Sequence, residues 1–138
     1  MSLDNESRQA MVNYRMERAD VALDDAVFLY DAGRYNLAAN RLYYALYYAA
    51  SALLLSQGVV TKRHSGLIAQ IHLHFVKSGI LTVEEGALFK VMFDLRHEGD
   101  YEDFIDVERE DIEEYTPQIT ALVKKLKGLI STKTERQE

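Results

Sequence analysis

The chain has 138 residues and a mass of 15.8 kDa, the length of one domain. It has no cysteine, which excludes disulfides, thiol nucleophiles and thiolate metal sites together and suits a reducing cytosol. With 16 basic and 22 acidic residues the net charge is −6, which argues against a whole-molecule attraction to nucleic acid or an anionic membrane; no apolar run approaches the ~20 residues of a membrane span.

The apolar pattern is helical throughout, with no sustained two-residue alternation and no Asn-Gly or Asp-Gly hairpin signal. It predicts five helices. The first runs from about Asn5 to Asp31, with a stripe of Ala19, Ala22, Leu23, Ala26, Leu29 and Tyr30, and Gly33 as its stop. The second covers about Asn36 to Gln57 and stops at Gly58. The third spans about Ser65 to Lys77. The fourth starts at Thr82, which forms a capping box with Glu85, and ends around Arg96–Gly99. The fifth covers about Asp106 to Leu129 and should bury Ile112, Tyr115, Ile119, Leu122, Leu126 and Leu129. Pro117 lies inside it, as a kink or as the first residue of a new start capped by Thr116; the uninterrupted apolar spacing favours the kink. The expected fold is all-α, an antiparallel up-and-down helical bundle with four main helices and a shorter fifth. Residues 1–130 form the domain and 131–138 a polar, frayed tail. The polar N-terminus, Met1 to Arg18, carries no signal-peptide apolar region, so the expected location is cytoplasmic, with no membrane contact.

The second helix is apolar around most of its circumference. Leu42, Leu46, Ala49 and Leu53 form its strongest side, extended by Tyr43, Tyr47 and Leu54. Arg41, Tyr44, Tyr48 and Ala52 occupy another face, with Asn40 and Ser51 beside them. Such a helix is buried on several sides. Either it is the central core helix, or its tyrosines also face a second copy of the chain.

Charge is unevenly spread. Glu84 to Tyr115 holds 13 acidic and 3 basic residues, and Lys124 to Glu138 holds 5 basic and 2 acidic. The carboxylates of Glu108 to Glu114 read as a solvated helix face. The segment Leu95-Arg96-His97-Glu98-Gly99-Asp100-Tyr101 is the strongest candidate for chemistry. Arginine is a bidentate phosphate ligand, and histidine exchanges a proton near neutral pH. Phosphodiester cleavage needs a base for the attacking hydroxyl and a cation for the developing charge. The bland alternative is a pair of cations favouring a helix C-terminus. His64, in Lys62-Arg63-His64-Ser65-Gly66, leads into a helix N-terminus, where exposed amides attract anions. His72 and His74 point to different sides of a helix and make a poor metal pair. No metal site and no cofactor motif is expected.

The run Arg41-Leu42-Tyr43-Tyr44-Ala45-Leu46-Tyr47-Tyr48-Ala49-Ala50, then Lys62-Arg63-His64-Ser65-Gly66, then Arg96-His97-Glu98-Gly99-Asp100-Tyr101, resembles the HEPN domain proteins. The name stands for higher eukaryotes and prokaryotes nucleotide-binding. The likeness is to the small stand-alone branch with a YYA second helix and an R…DY ending, and it covers about Asn5 to Ile130. It implies an all-α bundle that dimerises, with the arginine-bearing ends of two subunits meeting in a cleft. Many members are paired, as toxin, with a minimal nucleotidyltransferase antitoxin. Active members are metal-independent ribonucleases whose motif is an arginine, a polar residue and a histidine four to six residues on. Arg96 matches the arginine and His97 the polar residue, while Tyr101 stands at the histidine position. A phenol is ionised only about one part in a thousand at pH 7, so it replaces an imidazole poorly as a base. The resemblance therefore implies a homodimeric binding module for nucleotide, RNA or a partner protein, with Arg96, Tyr101 and His64 as ligand-binding residues. The alternative is a metal-independent endoribonuclease with Arg96, His97 and Tyr101 as its catalytic set.

Overall fold

A computed structural model describes residues 4–96 and 106–137, with side chains described through residue 130. Among the described residues the chain is all helix: α1 (Asn5–Asp31), α2 (Tyr35–Ser56), α3 (His64–Ile71) continued by a π-helical turn (His72–Val76), α4 (Val83–Leu95) and α5 (Arg109–Gln137). None of these helices is long and apolar enough to cross a membrane.

Local chemistry sets the ends. Asp4 caps α1 by accepting from the Ser7 amide at 2.7 Å. Gly33 takes φ 76° and lets the Gly33 and Arg34 amides return to Tyr30 and Leu29, closing α1. The Thr82–Glu85 capping box is complete: Glu85 N donates to Thr82 Oγ1 at 3.0 Å and Thr82 N to Glu85 Oε1 at 2.8 Å.

α2 is the centre of the bundle and packs against α1, α3, α4 and α5. Leu42, Tyr43, Leu46, Ala49, Leu53 and Leu54 are all buried. Ala19, Ala22 and Ala26 of α1 are small enough to bring that helix close against it, and Ile112, Ile119, Leu122 and Leu126 of α5 close another side. This is the central-core reading of the second helix. Its Tyr44, Tyr47 and Tyr48 are only half-buried and stay open on one side.

Two details differ from the sequence expectation, and one decides between its alternatives. The third helix is α-helical only to Ile71 and then widens, with Lys77 N bonding to His72 O at 2.9 Å. Gly86 of α4 lies against that turn, and a Cβ there would meet Val76 Cγ2 at 2.7 Å and His72 Cε1 at 3.1 Å. The close crossing needs glycine. Second, α5 is one helix through Pro117, with no new start at Thr116, whose hydroxyl instead donates to Ile112 O at 2.6 Å. The hydrogen bond that Pro117 cannot donate is lost on an exposed face, where water can take its place. Third, α5 runs past Leu129 to Gln137. Once a helix is anchored by packing, each further polar residue adds one bond with no nucleation step.

The cap also ties α4 to α5. Burial pushes the Glu85 carboxyl up, but its bond to Lys125 (2.8 Å) and to the Thr82 amide outweigh that and hold it below the usual glutamate range. A depressed carboxylate contributes stability above its unfolded value, lost as pH falls through the folded value. Thr82→Ala should therefore cost about 1 kcal/mol in urea unfolding. Glu85→Gln, which can still cap, should be the less stable chain at pH 7, and the gap to wild type should narrow as pH falls to 3. An unchanged gap at pH 3 would contradict the ion-pair assignment.

Candidate functional site

Arg96 is the residue that ends α4, so its cation sits at the negative end of that helix. Its guanidinium stacks on Phe93, one turn back, with 4.2 Å from Cζ to the ring centroid, and lies 5.6 Å from the Tyr43 centroid of α2. His64, the first residue of α3, packs on the same two rings, 5.5 Å from Tyr43 and 5.8 Å from Phe93 between centroids. Tyr47 covers it at 4.8 Å. Tyr43 is fully buried, and its hydroxyl is 2.6 Å from His64 Nδ1. That bond fixes the ring plane and couples the tautomer to the phenol. When Nδ1 carries the proton and Tyr43 accepts it, Nε2 is left with its lone pair.

So three helices bring a guanidinium and an imidazole onto one aromatic shelf. The sequence reading named both as candidates, 32 positions apart (96 − 64), without a reason for them to meet. The reason is Tyr43, read from sequence as part of the apolar side, and Phe93, which was not singled out. His97 and Tyr101 lie outside the described residues.

Two further residues hold this corner. Asn40 Nδ2 donates to the Arg96 carbonyl over a long 3.4 Å, reaching one of the orphan acceptors of the α4 end. Its Oδ1 accepts from Arg41 Nη2 at 2.8 Å and Nε at 3.2 Å. One turn earlier, Asn36 Oδ1 accepts from the Val107 amide at 2.9 Å. Asn36 and Asn40 thus grip Arg96 and Val107, the two sides of the segment that contains His97 and Tyr101. Their signal in the sequence was two amides four apart on a helix that is otherwise almost wholly apolar.

The other histidines are placed differently. His74 Nε2 bonds Gln70 Oε1 at 2.9 Å on the surface, and His72 lies against Gly86. Among the described residues no three His, Asp or Glu side chains gather as a metal-holding group.

A family model for the HEPN domain matches residues 12–131. The chain belongs to the HEPN family. This HEPN domain is 35% identical over 123 residues to a UPF0332 protein of Thermotoga maritima, covering 89% of this chain and 93% of that one. It is 31% identical over 98 residues to a Methanocaldococcus jannaschii protein named "Putative toxin MJ0142", covering 71% and 67%. A second protein of that organism, "Putative toxin MJ0605", is 31% identical over 100 residues, covering 72% of this chain and 75% of the relative.

Proposed function

We propose that this HEPN domain acts as a homodimeric binding module that holds a phosphate-bearing ligand, a nucleotide or RNA, at Arg96. The observation that supports it is the pairing of Arg96 and His64 on the Tyr43–Phe93 shelf. A planar fork that stays charged can take two phosphate oxygens while its face remains on the ring. The imidazole beside it adds a donor or a second charge. Tyr101 would orient the ligand through its hydroxyl. The dimer would bring two such ends together across a two-fold axis, burying at least about 1,000 Å² in total. A minimal nucleotidyltransferase is the protein partner of this reading, with the pair working as toxin and antitoxin in the cytoplasm.

The second reading is a metal-independent endoribonuclease, favoured by the imidazole at His64 and by the toxin names of two relatives. Nε2 of His64 or the His97 ring would take the proton of the RNA 2′-hydroxyl. Arg96 would stabilise the charge that develops on phosphorus oxygens, and the products would carry cyclic-phosphate ends.

One assay separates the two. Wild type, Arg96→Ala and Tyr101→His are compared on RNA in EDTA. Binding without cleavage by wild type, lost in Arg96→Ala, is the expected result. Cleavage by wild type that vanishes in Arg96→Ala would replace the binding module with the ribonuclease, and Tyr101→His should then be faster. Identical behaviour of all three removes the site. Sedimentation should give twice the 15.8 kDa chain mass; a monomer at high micromolar concentration contradicts the dimer.

A further inference from the structure

We infer that a single-stranded polynucleotide runs from the Arg96 corner along a stripe of arginines and tyrosines on α2 and α1; the inference rests on the reading of Arg96 as a phosphate site. Arg41 lies over Tyr44, with Cζ 5.0 Å from the ring centroid. Arg18 of α1 lies over Tyr48 at 5.7 Å. Arg15 Nη1 donates to Ser51 Oγ at 2.8 Å. Tyr44, Tyr48 and Ser51 follow each other at helical spacing on one line, and the antiparallel α1 presents Arg18 and Arg15 in matching order. From Arg41 to Ser51 the stripe rises about 15 Å.

Among the described residues no ion pair cancels the charge of this stripe. The described ion pairs join Lys90 to Asp94, Arg109 to Glu113, Lys125 to Glu85 and Lys127 to Asp20, and none engages Arg15, Arg18 or Arg41. α2 has no aspartate or glutamate along its whole length. In a chain of net charge −6, three arginines seated on rings and a hydroxyl rather than on carboxylates form a local positive track. The track is continuous with the site, because Asn40 bonds both the Arg41 guanidinium and the Arg96 carbonyl.

Guanidinium groups lying on aromatic faces keep their N–H edges directed outward, where phosphate oxygens can meet them. The half-buried Tyr44, Tyr47 and Tyr48 offer ring surface for bases. Base stacking with backbone cations is the chemistry of sequence-tolerant single-strand binding. A duplex hides its base faces and would leave the tyrosines unused.

The test measures fluorescence anisotropy of a labelled uridine octamer on the full chain over a series of salt concentrations. The double variant Arg15→Gln/Arg18→Gln should weaken octamer binding by about ten-fold or more, and flatten the salt dependence by about 0.7 for each phosphate contact removed. Lys90→Gln, which removes one positive charge elsewhere, should bind as wild type does. Wild-type affinity in the double variant, an equal loss in Lys90→Gln, or no octamer binding by wild type would each overturn the track. So would a double variant that sediments as a monomer where wild type is a dimer, since the stripe would then be a contact between copies. Uridine monophosphate titrated into wild type and Arg96→Ala judges the Arg96 site separately. Thermal melting of the double variant and of Lys90→Gln confirms that both are folded.

Discussion

Leu46→Ala should destabilise the protein by about 2–5 kcal/mol, the largest single-residue effect on stability expected here. Leu46 is fully buried on α2, the helix that touches all the others. Removing its outer carbons leaves a void that α1, α4 and α5 cannot all move to fill, because α1 and α5 also pack on each other and α4 is held by α3 and by the Glu85–Lys125 bond. Lost transfer energy and residual cavity then add. Urea unfolding should show a lower midpoint with an unchanged slope. A loss below about 0.5 kcal/mol would be typical of a surface site and would place Leu46 outside the core.

Arg96→Ala should weaken mononucleotide binding by at least about ten-fold, in line with about 1.5–3 kcal/mol for hydrogen bonds to a charged group. Arg96→Lys should fall between the two. It keeps the charge but loses the planar fork and the stack on Phe93. A uniform charge effect would instead leave the lysine variant equal to wild type. Because the arginine also covers Tyr43 and Phe93, some stability is lost with it. Binding is therefore compared at a temperature where melting shows each variant folded. Calorimetric titration reads the affinity directly.

The fold was largely legible because helices announce themselves locally. The Gly33 stop, the Thr82–Glu85 box and the Leu42-Leu46-Ala49-Leu53 side all act within a few residues of themselves. What local pattern misses is what another helix imposes. The π-turn at His72–Val76 lies where Gly86 of α4 comes close, and nothing between Ser65 and Lys77 announces it. The extension of α5 to Gln137 was missed for the opposite reason: its residues have no apolar period to reveal a helix, yet they follow one already anchored.

The site was half legible. Arg96 and His64 stood out because each stands beside another cation or histidine at a helix end, Arg96 before His97 and His64 after Lys62 and Arg63. Their meeting was not visible, since Tyr43 and His64 are 21 positions apart and no spacing rule links them. Tyr43 looked like core, and it is core; its hydroxyl is what turns a buried ring into part of the site. Asn36 and Asn40 carried a signal that could be read, two amides one turn apart in an apolar helix. Their partners, Val107 and Arg96, could not be read, because those lie on either side of a long-range connection.

The most direct test follows the imidazole nitrogens of the 4 histidines by nitrogen-15 NMR while uridine monophosphate is added. The site predicts that the His64 signals move and saturate with ligand in wild type, while those of His72 and His74 stay in place, and that Arg96→Ala abolishes the His64 response. A His64 signal that ignores the nucleotide, or one that responds equally without Arg96, would contradict a phosphate site on the Tyr43–Phe93 shelf.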